Sequence, residues 1–259
     1  MAMQGWACWW IVIFCSLQLA GQNLVPNGSF ERFGMCPPYP GQIHLADNWD
    51  APNNQTTDFF HQCAPPASGA SVPVNLVGEQ MPYDGAGYAG LRTWIPVIPG
   101  NPPYREYLTV ALQEPLKAGQ LYELRCHLSV AESSSHLSDG LGFLLTEQPL
   151  PAQAVYSEAP SLRFPRQVFI EETEAWVPFA DTLRAEGGER YLTIGNFSPD
   201  TVLLRTLANG QPPTVYYYLD DIRLQACSVP EVLGSSVDTF FCEGKTLLLQ
   251  GPEGALRYR

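Results

Sequence analysis

The strongest constraint on how this 259-residue chain can fold is a series of short segments, from about Tyr88 onward, in which apolar and polar residues alternate one by one. In LYELRCHLSV, residues 121–130, Tyr122, Leu124, Cys126, Leu128 and Val130 fall on one face, and Glu123, Arg125, His127 and Ser129 on the other. A period of two belongs to an extended strand buried on one side, because successive side chains leave a pleated backbone in opposite directions. The preceding REYLTVALQEP places Leu108, Val110 and Leu112 together, and EPLKAGQ supplies the Pro and Gly of a hairpin-like turn into the next strand. Further strands are predicted at 88–94, 140–146, 175–183, 190–197 and 214–224, with the Pro-containing stretches 147–166 and 198–213 read as loops. Roughly eight to ten short strands joined by turns predict an all-β fold, a jelly-roll β-sandwich.

The totals agree. Twenty-two Gly and 24 Pro against 15% charged residues disfavour long helices, and 45% hydrophobic residues with 6 Trp, 12 Tyr and 12 Phe supply a core. The formal charge of −12, with no Lys/Arg cluster larger than a pair, excludes binding to a phosphate backbone, so no nucleic-acid partner is expected.

Residues 1–21 hold an apolar run from Trp9 to Phe14 followed by smaller residues, the pattern of a secretory signal peptide cleaved after Ala20 or Gly21, although no Lys or Arg precedes the run. The run is too short for a membrane span, and Gln22 stands where a lipoprotein would have cysteine. The expected product is exported, neither membrane-spanning nor lipid-anchored. Cys8 and Cys15 leave with the leader, so the mature chain keeps Cys36, Cys63, Cys126, Cys227 and Cys242, an odd set that implies a free buried thiol or a partner outside this sequence. Cys36 and Cys63 bracket a Pro- and Gly-rich loop and are the predicted disulfide; no CxxC or His/Cys cluster accompanies them as a metal site would require. After Cys227 the texture changes, and 229–238 reads as a linker before a new domain begins at about 239.

The segments NLVPNGSFE (23–31) and YYYLDDIRL (216–224) resemble the two ends, the entry strand and the closing strand, of galactose-binding-like jelly rolls, the fold of many carbohydrate-binding modules. The ordered set NLVPNGSFE, MCPPYP, IHLADNW, TTDFFHQC, DGAGYAGL and YREYLTVALQEPLKAGQLYEL resembles the N-terminal domain of large cell-surface proteins of Bacteroidetes-type bacteria, over residues 23 to about 226. Such proteins continue into immunoglobulin-like or PKD-like repeats. They end in gliding-motility or type IX secretion domains, or in an outer-membrane-protein-A-like peptidoglycan-binding domain. FFCEGKTLLLQGPEGALRYR, within 239–259, resembles the first half of an immunoglobulin-like repeat, whose Trp and second Cys would follow Arg259. The resemblance therefore implies an outer-membrane-associated adhesion or carbohydrate-binding module, continuous with further domains.

It also implies a structural calcium ion joining the start and end of the domain. Calcium takes about six to eight oxygen ligands, and the matching carboxylates are Glu31, Asp220 or Asp221, with Asp84 or carbonyls near Gly85 as additions. The alternative is that Glu31 caps a turn and one of the two aspartates accepts backbone amides. Adjacent residues of a strand face opposite ways, so at most one of Asp220 and Asp221 is expected to point at an ion. Glycan binding combines an aromatic platform with polar side chains; Trp94, Tyr104, Tyr107, Arg125 and His127 are the candidates for a polysaccharide or envelope glycan, against the alternative that Trp94 and Tyr107 are core or rim residues.

An enzyme is not expected. Ser133–Ser135, His136 and Asp139 crowd into one polar loop without a G-x-S-x-G elbow, and Glu171, Glu172 and Glu174 read as a solvated strand edge. Two rivals to a surface adhesin remain: a module targeting a polysaccharide-degrading enzyme whose catalytic domain lies downstream, and a ligand-free structural spacer.

Overall fold

The computed structural model describes residues 21–165, 167–198, 204–207 and 213–227. The predicted leader up to Ala20, the linker at 229–238 and the partial repeat at 239–259 lie outside the described residues.

Within them the chain forms β1 (Trp49–Asp50), β2 (Asp58–His61), β3 (Val74–Asn75), β4 (Gly78–Glu79) and β5 (Gly87–Trp94). These are followed by β6 (Tyr107–Ala111), β7 (Leu121–Val130), β8 (His136–Ser138), β9 (Leu141–Thr146) and β10 (Leu162–Arg163). The last four are β11 (Val177–Arg184), β12 (Tyr191–Asn196), β13 (Leu204–Thr206) and β14 (Val215–Ala226). Two five-stranded antiparallel sheets result, ordered β1-β6-β12-β9-β10 and β11-β7-β14-β5-β2, with small pairs β13-β8 and β3-β4 beside them. This is a jelly-roll β-sandwich.

The predicted alternation explains the layers. Leu124, Cys126, Leu128 and Val130 of β7 meet Leu108, Val110, Leu192 and Ile194 of the other sheet in one core that also takes Phe30, Trp49, Phe59, Phe143 and Ile222. Burying each such side chain fully contributes about 1.5–3 kcal/mol, which is why a period-two pattern decides the strand's orientation. Cys126 is a free thiol inside this core, and burial pushes its pKa up. The predicted disulfide Cys36–Cys63 is formed. Cys227 is also disulfide-bonded.

Two expectations about connectivity are corrected. EPLKAGQ does not close a hairpin: β6 pairs with β1 and β12, whereas β7 pairs with β11 and β14, so the turn carries the chain from one sheet to the other. Leu116, buried in the core, anchors that crossing. Nor is NLVPNGSFE a strand. Residues 24–29 are bends and turns, with Phe33 making an isolated bridge to Ala46. The segments expected to be loops carry β10 and β13, two- and three-residue strands too short for alternation to reveal.

The outer face of the second sheet is covered as well. Phe60, Tyr88, Tyr216 and Tyr218 pack under Ala64, Ala70 and Val77 of the loop between β2 and β5, with Trp176 against them. No helix among the described residues is long and apolar enough to cross a membrane.

Candidate functional site

The two ends of the domain do meet, through a β-bulge. In β14 the inward residues are Tyr217, Leu219, Ile222 and Leu224, a step of three in an otherwise alternating series, and the register with β7 shifts between Asp220 and Arg223. Asp221 has φ 50°, so the extra residue is absorbed there. Both aspartates consequently leave the core face: Asp220 lies opposite His127, and Asp221 Oδ2 is 3.5 Å from His127 Nδ1. The expectation that they face opposite ways is wrong because a bulge breaks the period. Against this bulge lies the N-terminal segment, where Ile222 N donates to Gly28 O (3.0 Å), Leu24 N to Leu224 O (2.8 Å) and Leu224 N to Asn23 Oδ1 (2.9 Å).

The carboxylates proposed for calcium are directed at backbone amides. Glu31 Oε1 accepts from Ala86 N (2.7 Å) and Gly87 N (3.0 Å). Asp220 Oδ2 accepts from Tyr83 N (2.9 Å) and Asp84 N (3.0 Å), while its Oδ1 accepts from Asp221 N (2.6 Å). Burial raises the Asp220 pKa to about 8, with the three amides opposing. Asp84 Oδ2 accepts from Ser29 Oγ (3.0 Å), and Asp221 Oδ1 from Arg223 Nε (2.6 Å). Glu31 and Asp220 thus hold the loop 83–87 from its two ends, the turn-capping alternative. Among the described residues no three His, Cys, Asp or Glu side chains converge to hold a metal ion. Donors from the protein take Glu31 Oε1, both Asp220 oxygens, Asp84 Oδ2 and Asp221 Oδ1, and the set as folded does not fit calcium.

The five proposed glycan contacts do not come together. Tyr107 is fully buried on the outer side of the first sheet, where its hydroxyl donates to Asn196 O (2.8 Å) and accepts from Tyr156 N (3.1 Å), and Tyr156 and Phe197 pack on its ring. It is a core residue of a satellite cluster, as the alternative reading had it. Trp94 packs at the rim of the main core with its ring 5.2 Å from that of His136. Tyr104 donates its hydroxyl to Glu106 Oε1 (2.5 Å), and burial raises it to about 12. Arg125 pairs with Glu123, and His127 stacks on Tyr83 at 3.4 Å between ring centroids; burial lowers the His127 pKa, and Asp221 opposes that. Of the serine–histidine–aspartate cluster, Ser135 Oγ lies 2.8 Å from His136 Nδ1, but Ser135 is buried and accepts from Thr214 N (2.8 Å). Asp139 accepts from Gln167 N (3.1 Å). Exposed Glu171 pairs with Arg205.

A site the sequence did not disclose lies on the outer face of the first sheet, a cleft of about 390 Å³ beside β1, β6 and β12. Asn48, Asp50, Asn54, Thr109 and Tyr191 line it, with Leu150 closing one side. Asn48 (φ 73°) and Asn54 (φ 56°) sit in left-handed turns flanking β1, a conformation that Asn tolerates better than most residues. Neither side-chain amide, nor the Tyr191 hydroxyl, has a protein hydrogen bond among the described residues, and Asp50 spends one oxygen on Ala51 N (2.8 Å). The signal was the pair of asparagines around WD, in two turns whose side chains no strand pattern places.

No protein-family model matches the sequence. No curated protein matches it either. Among solved structures, the chain is similar to the CBM22-1 xylan-binding domain of Paenibacillus barcinonensis Xyn10C, at 13% identity and a TM-score of 0.39, over 80% of this chain and 96% of that one. It is similar to the K1 cleaved adhesin domain of Lys-gingipain from Porphyromonas gingivalis, at 13% identity and a TM-score of 0.40, over 80% and 99%. A family 16 carbohydrate-binding module aligns at 12% identity and a TM-score of 0.36, over 78% and 99%. Likenesses this weak transfer no function to the chain.

A second polar centre, buried under the loop joining β5 to β6, is structural. Asp58 accepts from Gly41 N (2.5 Å) and from the Tyr216 hydroxyl; Glu106 accepts from Arg92 N (2.6 Å), Thr56 Oγ1 (2.8 Å) and Tyr104. Burial, followed by the neighbouring Glu106, raises Asp58 to about 7, and burial likewise raises Glu106. Every hydroxyl and amide in it is spent on holding β2, β5, β6 and β14 together.

Proposed function

We propose that this chain is an exported, non-catalytic carbohydrate-binding module that takes a saccharide in the cleft lined by Asn48, Asp50, Asn54, Thr109 and Tyr191. The observation that carries the reading is the set of uncommitted hydrogen-bonding groups around that cleft. A sugar presents vicinal hydroxyls that each donate and accept; a side-chain amide does both, a carboxylate oxygen accepts, and an aromatic ring packs on the sugar's C–H face. The cleft volume lies within the range of about 300–1,000 Å³ typical of small-ligand sites. Export is supported by the Cys36–Cys63 disulfide together with the predicted leader.

The test is a polysaccharide array followed by titration of any hit. Tyr191→Ala and Asn54→Gly, the latter keeping the left-handed turn open while deleting the amide, each weaken binding by about tenfold. Trp94→Ala leaves it unchanged. A blank array, or hits insensitive to both cleft variants, removes this reading.

A further inference from the structure

The second large cavity lies on the opposite sheet and has a different character. It encloses about 550 Å³ between the loop after β5, the β3–β4 hairpin and the segment entering β14. Leu76, Val77, Ile95, Ile98 and Pro213 form its walls. Leu76 is 70% exposed and Ile98 57%, so two large aliphatic side chains stand open to solvent at its mouth, an arrangement that monomeric proteins keep for binding surfaces.

Among the described residues its charged lining is a single cation. Arg92 has no ion pair within 4.0 Å among the described residues; its guanidinium lies 6.0 Å from the centroid of the Tyr104 ring. The carboxylates close enough to feel it, Asp58 and Glu106, are held by the other donors described above. Glu132, beside the cavity in sequence, accepts from Glu79 N (3.1 Å). Ser133 also lines the cavity, and its Oγ is buried with no hydrogen-bond partner. Thr214 is committed, its hydroxyl to Trp94 O (3.4 Å) and its amide to Ser135 Oγ (2.8 Å). An aliphatic pocket whose one charged lining group is a guanidinium without an ion pair is complementary to an apolar chain ending in an anion.

We propose that this cavity binds an aliphatic carboxylate, with the alkyl chain against Leu76, Val77, Ile95 and Ile98 and the carboxylate on Arg92. Among the described residues no aromatic side chain lines the cavity, so they offer no platform of the kind a sugar ring uses. The site is separate from the saccharide cleft and stands or falls without it.

Amide-detected NMR titration with octanoate, octanol and acetate tests the assignment. Octanoate shifts the amides of residues 92–98, 133 and 214 saturably, octanol requires at least about tenfold more ligand, and acetate does nothing, since a charged hydrogen bond and the chain are both needed. Arg92→Gln abolishes the preference for octanoate over octanol. Ile98→Ser, at an exposed position that does not threaten the fold, weakens both. Tyr191→Ala changes neither. Equal affinity for octanoate and octanol, an Arg92→Gln protein that keeps the preference, or no saturable shift in the folded protein overturns the proposal. So does sedimentation showing a dimer that buries Leu76 and Ile98.

Discussion

Gly28 shows how a single position can tie the ends of a chain together. A Cβ there would lie 2.0 Å from Ile222 O, because the N-terminal segment runs directly over the bulge of β14. Backbone cannot give way as the tip of a side chain can, so Gly28→Ala forces the two segments apart and costs about 1–3 kcal/mol. Thermal unfolding measures this, with Gly34→Ala as control, since a Cβ at Gly34 meets nothing within 4 Å. Equal melting of the two variants would refute the close approach. The NGSF turn was legible as a feature of the chain, but its purpose was not. Residues 27–30 do not reveal that they pack on residue 222, and nothing in YYYLDDIRL reveals that Asp221 is the extra residue of a bulge. Sequence alternation assigns a face to each side chain only while the period holds, and here the departure from it turns both aspartates off the core face, where they are buried beneath other segments of the chain.

Elements differ in how much their sequences disclose, and length decides it. β7 and the cores of β5, β9, β12 and β14 span enough residues for alternation to show, whereas β1, β3, β4 and β10, at two residues each, have no period at all. Their place is set by what they pair with. The same holds for the saccharide cleft, whose Asn48 and Asn54 flank one of these short strands. The loop bracketed by the disulfide depends on tertiary constraint: it closes over a separation of 27 residues and contains only β1, β2 and a three-residue 3-10 helix at Ile43–Leu45. Reducing Cys36–Cys63, or replacing both with Ser, lowers stability by about 3–4 kcal/mol through the freedom returned to the unfolded chain. Calorimetric scans of wild type and of the double Ser variant without reductant read this, and an unchanged transition would mean that packing alone orders the loop. The loop 83–87 depends instead on the carboxylates that cap it. Glu31→Gln, which replaces a charged acceptor by a neutral one, costs about 1 kcal/mol, and chelator leaves the melting temperature of wild type and variant unchanged. A chelator-sensitive melt abolished by Glu31→Gln would instead establish an ion at this position.

At the scale of the whole molecule, the sandwich was legible because its two layers follow from hydrophobic period, while the outer faces were not. The buried aromatic residues among those described are divided between one inner core and two outer clusters, and a pattern of period two marks Tyr216 and Tyr218 as facing away from the core without saying that a loop covers them. Asp58, Glu106 and Asp220 are also buried outside the main core, and so set how stability depends on pH. Asp58 is raised to about 7 and Asp220 to about 8, chiefly by burial, and Glu106 moves in the same direction. A carboxyl in the unfolded chain titrates near ~4, so between that value and the folded one the native state binds more protons than the unfolded state. The stability these groups contribute is present in full below the unfolded pKa and is lost as pH rises toward 7–8. His61 and His127 act oppositely, since burial lowers both: their contribution is present above ~6.5 and lost as pH falls through their folded values. The histidine contribution is already in full above ~6.5, so the buried carboxyls dominate the pH dependence between there and 8. The melting temperature is therefore expected to fall as pH is raised from about 6 to 8, and Asp58→Asn, which cannot ionise yet still reaches Tyr216 and Gly41, flattens that slope. A melting temperature that climbs over this interval, or a slope that Asp58→Asn leaves intact, would show that these carboxyls are ionised in the native fold and that the covered face of the second sheet admits water.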